Sequence, residues 1–173
     1  MKKLSEIGTQ LLTWVRPNAF QREYELLAGE ERVAILKWES TFGSLVSIQT
    51  AEEKWLVERS GFRWRRVRMH READPLNDAS FTFGWFGAGV LDCPRGGNYR
   101  WRRTKFWRSE WSFTGTSDFP IVQFRLRRVS FKSRGEIELA ENASLHRDDI
   151  PLLILLGWYL MLVLQRRHRR RHG

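Results

Sequence analysis

The sequence predicts a mainly β protein: an antiparallel barrel of about twelve strands enclosing one hydrophobic C-terminal α-helix. Three observations predict it. Residues Ile150–Leu164 (IPLLILLGWYLMLVL) form an uncharged run with no polar face, at the end of the chain. From the twenties onward, apolar and polar residues alternate with period two, and turn residues interrupt them roughly every eight to twelve positions, the pattern of a sandwich or barrel. A helix that is apolar all round cannot be covered by one sheet face, whereas a barrel wrapped around it covers every side.

The alternation sets the elements in order. Phe20, Arg22, Tyr24 and Leu26 share one face of a first strand, and Ala28–Glu30 turns it into Val33–Trp38. Ser44–Thr50 and Lys54–Arg59 pair across Ala51–Glu53, and Ser60-Gly61 leads into Phe62–His70. Glu72–Asp78, which contains Pro75, reads as a loop before Ser80–Phe86. Gly87–Gly89 turns into a short strand Val90–Cys93, and Pro94–Asn98 turns into Tyr99–Arg103. Trp107–Phe113 pairs back, Thr114–Pro120 is a loop, and Ile121–Arg127, Val129–Lys132 and Glu136–Ala140 complete the set. Strands thus occupy residues 18–140, the central helix 149–167 and a basic tail 168–173, all within one domain, 1–173. Asp148 or Asp149 is expected to cap the helix, Pro151 falls in its first turn, and the arginines complement its C-terminal dipole.

The same apolar run supports a competing reading as a tail anchor. As a helix it spans ~22 Å, against ~30 Å for a bilayer core. Its flanks oppose that reading. Five arginines in Gln165–Gly173 would have to cross if the bulk of the chain stays inside, against the positive-inside tendency, and no apolar segment follows Lys2-Lys3 to export the rest. The expectation is therefore a buried helix in a cytoplasmic protein, peripheral at the inner face of the membrane.

Hydrophobic content of 42%, with nine Trp and eleven Phe, fits a packed globular protein. The single cysteine, Cys93, cannot form an internal disulfide, which fits a reducing compartment. The net charge of +10 is concentrated, because residues 61–134 hold sixteen Lys/Arg against six acids while the rest of the chain is balanced. That excess favours anionic partners: lipid head groups, nucleic acid or acidic protein surfaces.

Three stretches carry a family resemblance. Gly89-Val-Leu-Asp92 followed by Gly96-Gly97-Asn98-Tyr99-Arg100-Trp101 resembles the strand turn of LURP-one-related proteins, in which Asp-Gly precedes an aromatic. Phe106-Trp107-Arg108-Ser109-Glu110-Trp111 resembles their Trp-rich strand, and Ile150–Tyr159 their terminal helix. The chain departs from the pattern by inserting Cys93-Pro94-Arg95 between the Asp and the glycines. Over about residues 18–165 the layout is similar to the tubby C-terminal-like group, which includes phospholipid scramblases. The resemblance implies the barrel-and-helix fold. Tubby proteins bind phosphoinositides through basic residues, so it also implies a phospholipid partner, without assigning positions. The calcium-linked motif of scramblases does not occur in this chain.

The candidate anion-binding residues come from three strand regions: Arg63, Arg65, Arg66 and Arg68; Arg100, Arg102, Arg103 and Arg108; Arg125, Arg127 and Arg128. Alternation puts Tyr99 and Trp101 on one face and Arg100 and Arg102 on the other; Trp107, Trp111 and Phe113 share a face opposite Arg108 and Glu110. Arginines on adjacent outer faces would hold phosphates by bidentate contacts. The plainer account is that aromatics pack on the helix while arginines form the wet side of the barrel. Outward aromatics would instead stack single-stranded bases, which makes nucleic acid an alternative partner. The tail Arg166–His172 is a further candidate for contact with anionic lipid.

Enzyme signals are weak, and no catalytic residue, metal site or cofactor is assigned. Gly84–Gly89 is followed by Val90–Pro94 instead of a phosphate-cradling helix. His70 and His146 lack a paired ligand spacing, and His168 and His172 lie among arginines. No motif identifies a protein partner.

Overall fold

The computed structural model describes residues 1–18, 22–39, 44–105, 109–129 and 132–173, with the backbone alone at 105, 128, 129, 132, 133 and 172. Twelve antiparallel strands close into a barrel: β1 (Leu12–Val15), β2 (Glu23–Ala28), β3 (Glu31–Trp38), β4 (Leu45–Thr50), β5 (Lys54–Ser60), β6 (Arg66–Arg71), β7 (Asp74–Phe83), β8 (Gly89–Asp92), β9 (Asn98–Lys105), β10 (Glu110–Thr114), β11 (Pro120–Val129) and β12 (Lys132–Leu139). Each strand pairs with its sequence neighbours, and β1 closes the ring on β12 through Leu12↔Ile137 and Trp14↔Gly135. Closure removes every free sheet edge. Through the middle runs α1 (Ile150–His172).

Alternation works as the sequence implies. Leu26, Leu36, Ile48, Val57, Phe81, Trp101, Phe113, Phe124 and Ile137 point inward and are fully buried. They meet a helix that is buried on every side from Leu152 to Val163, about 18 Å of rod at 1.5 Å per residue. α1 is long and apolar enough to cross a membrane, but here its apolar length is spent inside the barrel. Two glycines make the fit possible. A Cβ at Gly157 would meet the Phe124 ring at 2.1 Å, and one at Gly135 would meet the Trp14 ring at 1.8 Å. The first lets the helix approach β11; the second lets an indole lie across the closing strand.

Several local expectations are corrected. A strand precedes position 18: β1 supplies the twelfth stave, four residues too short to show a period. Glu72–Asp78 is largely strand, because β7 starts at Asp74 and Pro75 occupies its beginning, where a missing N–H is tolerated. Of the expected strand Val129–Lys132, Val129 ends β11 and Lys132 opens β12 opposite it, while residues 130–131 lie outside the described residues. Phe62–Trp64 and Trp85–Gly87 are short 3-10 turns, so β6 begins at Arg66 and β7 ends at Phe83. The helix continues to His172 through the expected tail, where its last turns carry the arginines. The expected positions Phe20, Phe106 and Trp107 lie outside the described residues.

Candidate anion-binding surface

On the barrel wall the arginines fall into separate groups. Arg66 and Arg68 face outward from β6 and Arg100 and Arg102 from β9, with β7 and β8 between them. The register runs Arg66, Thr82, Val90, Arg100 across four strands, so the two cations stand about 14 Å apart at ~4.8 Å per strand. Arg125 and Arg127 on β11 lie beyond β10, whose outer residues are Glu110, Ser112 and Thr114.

Carboxylates engage several of these side chains. Arg68 Nε donates to Asp78 Oδ2 at 2.6 Å. Arg102 contacts Asp118 twice, at 3.4 Å to Oδ1 and 2.8 Å to its backbone oxygen. Arg125 bridges Glu110 at 3.2 Å and Glu138 at 3.1 Å, and Arg127 reaches Glu136 at 2.9 Å. Glu110 is buried beneath Arg125, so this pair holds the outer face of β10 as much as it offers charge. Arg108 lies outside the described residues, as does the Arg128 side chain; the Arg128 backbone pairs with Ser133. Among the described residues the wall therefore mixes ion-paired arginines, Arg68, Arg102, Arg125 and Arg127, with Arg66 and Arg100 standing three strand spacings apart.

The other predicted residues sit at the end of the barrel where α1 leaves it, here called the exit mouth. Arg63 and Arg65 belong to the turn between β5 and β6, and Arg103 stands on the rim opposite Trp111. The last turns of α1 bring Arg166 and Arg167 to the same place. Arg166 stacks on the Trp38 ring at 3.7 Å and Arg167 on Phe83 at 4.8 Å. Burial lowers the pKa of both guanidinium groups from the ordinary arginine value. Arg59 adds a cation that donates to the Trp64 carbonyl at 2.9 Å and lies 5.8 Å over Phe83. The nearby acids are mostly engaged: Glu23 with Lys37, Glu39 with the Ser47 hydroxyl, and Glu110 with Arg125.

Sequence reasoning missed what lies beside these cations. Four large apolar side chains are exposed on two neighbouring loops: Phe62 (82%) and Trp64 (50%) after β5, Trp85 (77%) and Phe86 (97%) after β7. The expectation that aromatics pack inward holds for Tyr99, whose ring meets His146, and for Trp101, Trp111, Phe113 and Phe124, which form a stacked and edge-on cluster within the barrel. It fails at these four and at Phe119, an exposed ring on the loop between β10 and β11 at the other end. The available signal was the glycine that flanks each group, Gly61 before Phe62 and Gly84 and Gly87 around Trp85-Phe86, because strand alternation stops at such positions.

The opposite end, the entry mouth, carries a polar cluster. Tyr99 Oη donates to Asp149 Oδ2 at 2.5 Å and lies 3.1 Å from His146 Nδ1. The Asp149 carboxylate, expected to cap α1, is engaged by Tyr99 and makes no side-chain cap bond; Asp148 stands 3.9 Å from Arg95. Burial, with Asp149 and Asp92 adding, pushes the Cys93 thiol up to about 12, so it stays protonated and a poor nucleophile at neutral pH. A small cleft beside this cluster is lined by Trp55, Arg71, Asp74, Arg95, Asp148 and Leu152. Among the described residues no three acids, histidines or cysteines converge as a metal site would require.

The fold class is thus a closed twelve-stranded barrel around a hydrophobic C-terminal helix. No family model, curated protein or solved structure matches the chain.

Proposed function

We propose that the protein is a non-enzymatic barrel of the tubby-like kind that docks on an anionic phospholipid surface, from the cytoplasmic side of the membrane, through the cations of its exit mouth. One observation carries this reading. Arg59, Arg63 and Arg65, with Arg66 at the start of β6, lie at the same end of the barrel as the arginine-rich end of α1, where Glu23, Glu39 and Glu110 are already engaged. Cations near a charged membrane contribute about 1 kcal/mol each, and guanidinium groups match phosphate by paired hydrogen bonds. The wall arginines Arg68, Arg102, Arg125 and Arg127 belong mainly to the barrel's own ion pairs.

Sedimentation with phosphatidylserine-containing vesicles tests this. The protein is expected to pellet with them at low salt, to stay behind with neutral phosphatidylcholine, and to release as salt rises. Replacing Arg63, Arg65, Arg66, Arg170 and Arg171 with Gln should remove most of the binding while melting changes little. Failure of the unaltered protein to pellet at low salt would overturn the reading.

A further inference from the structure

We infer that the protein meets the bilayer end-on, with the loops 61–65 and 84–88 inserting the rings of Phe62, Trp64, Trp85 and Phe86 into the interfacial layer. This rests on the lipid reading above and specifies what touches the membrane, in which orientation and by which chemistry.

The two loops form one surface. They cap the adjacent hairpin strands β6 and β7 at the same end, and Phe83 N–H donates to the Arg65 carbonyl at 2.8 Å. The Arg65 guanidinium lies 5.7 Å over the Trp85 ring, and Arg63 lies 5.2 Å over Phe62. Soluble proteins scatter single apolar residues over their surfaces, but four large rings on neighbouring loop tips are unusual and mark a contact site. The backbone presents them at a cost. Arg63, Trp64 and Phe86 all have left-handed φ, at 57°, 57° and 55°, a conformation non-glycine residues seldom adopt. Such outliers gather where display of a side chain matters more than local comfort.

The surrounding chemistry selects the partner. Trp and Phe settle at the boundary between head groups and acyl chains, and Arg side chains lay their stems along apolar surface while their heads reach phosphates. An aromatic tip ringed by guanidinium groups offers both at once to an anionic bilayer. Single-stranded nucleic acid asks for rings lining a groove along its backbone, whereas Phe62 and Phe86 protrude almost fully exposed. The α1 axis points the same way, because Arg166 and Arg167 emerge beside Trp38 and Phe83 and continue as Arg169–Arg171.

The test places a fluorescent reporter at each end of the barrel. Cys93 is buried with its thiol pushed up to about 12, and is replaced by Ser for labelling. Phe62→Cys and Phe86→Cys carry an environment-sensitive dye at the exit mouth; Leu145→Cys, 81% exposed at the entry mouth, serves as the control. On phosphatidylserine vesicles the dyes at 62 and 86 are expected to shift to the blue and to be quenched by brominated acyl chains, while the dye at 145 stays as in water. The double variant Phe62→Ser/Phe86→Ser should melt like the parent and bind vesicles on the order of tenfold more weakly. Sedimentation with unshifted dyes at 62 and 86, or unchanged binding by the double variant, would overturn insertion and leave the lipid reading standing. Absence of sedimentation overturns both, and a shift produced by an oligonucleotide or an acidic protein but not by vesicles reassigns the surface.

Discussion

The two ends of this barrel solve the same problem in opposite ways. Both must finish twelve strands and one helix. At the entry mouth the ending is closed: Tyr99, His146 and Asp149 bond one another, the thiol of Cys93 is buried, and turns such as Glu52-Glu53 are held by Arg71 and Thr50. At the exit mouth rings stand in solvent, three non-glycine residues hold left-handed φ, and arginines crowd together. The charge follows the helix. Acids gather where α1 presents the positive end of its dipole and cations where it presents the negative end. One end is tied together by its own side chains, and the other leaves rings and cations uncovered.

The contrast depends on the rod that joins the ends, so the largest effect lies there. Leu155 is fully buried between helix and staves. Leu155→Asp places a carboxylate where nothing can solvate it, costing on the order of 5 kcal/mol or more, enough to prevent folding. A soluble Leu155→Asp protein with a cooperative melt would show that the helix is not enclosed. The next effect separates the ends. Tyr99→Phe deletes the donor to Asp149 and leaves a carboxylate with one partner fewer; about 1.5–3 kcal/mol of stability should go. Trp85→Ser at the exit mouth should stay within about 0.5 kcal/mol of the parent, since most of that ring already faces water. Equal losses by chemical denaturation at the two positions would erase the distinction between a closed and an open end.

What the sequence disclosed follows the same division. The barrel and its helix were legible because burial imposes a period: inward positions such as Leu26, Val57, Phe81 and Trp101 had to be apolar, and Ile150–Leu164 had no face to expose. β1 was not, because four residues cannot establish alternation. The arginines were found as residues but not as an arrangement. Whether Arg66 and Arg100 adjoin depends on two intervening strands, and whether Arg125 is available depends on Glu110 and Glu138, which come from neighbouring strands. The exposed aromatics escaped for a physical reason as well. A tryptophan in a sequence carries a strong expectation of burial, true of Trp14, Trp101 and Trp158, and only backbone geometry shows that Trp64 and Trp85 sit on loops with no core beneath them.

The smallest expected effect is a dependence on alkaline pH to which the entry mouth contributes Cys93 and Tyr99, beside the Tyr159 phenol within the barrel, which burial also raises. In the folded chain burial lifts the Cys93 thiol from the ordinary value of 9.0 to about 12, and burial and the bond to Asp149 lift the Tyr99 phenol as well. Both groups therefore keep their protons to higher pH when folded than when unfolded. Between about pH 9 and 12 the unfolded chain binds fewer protons than the folded one, so stability falls as pH rises; below pH 9 the contribution is complete. For Cys93 alone the loss at pH 10 is roughly 1 kcal/mol, from 1.36 kcal/mol per pKa unit. Melting temperature measured from pH 8 to pH 10.5 should decline, and the decline should be shallower in Cys93→Ser and in Tyr99→Phe. The exit-mouth variants Phe86→Ser and Arg170→Gln should keep the parent's slope, because neither touches these two groups. If the slope flattened equally in exit-mouth variants, the proton-linked stability would be spread over the barrel and its two ends would no longer differ in kind.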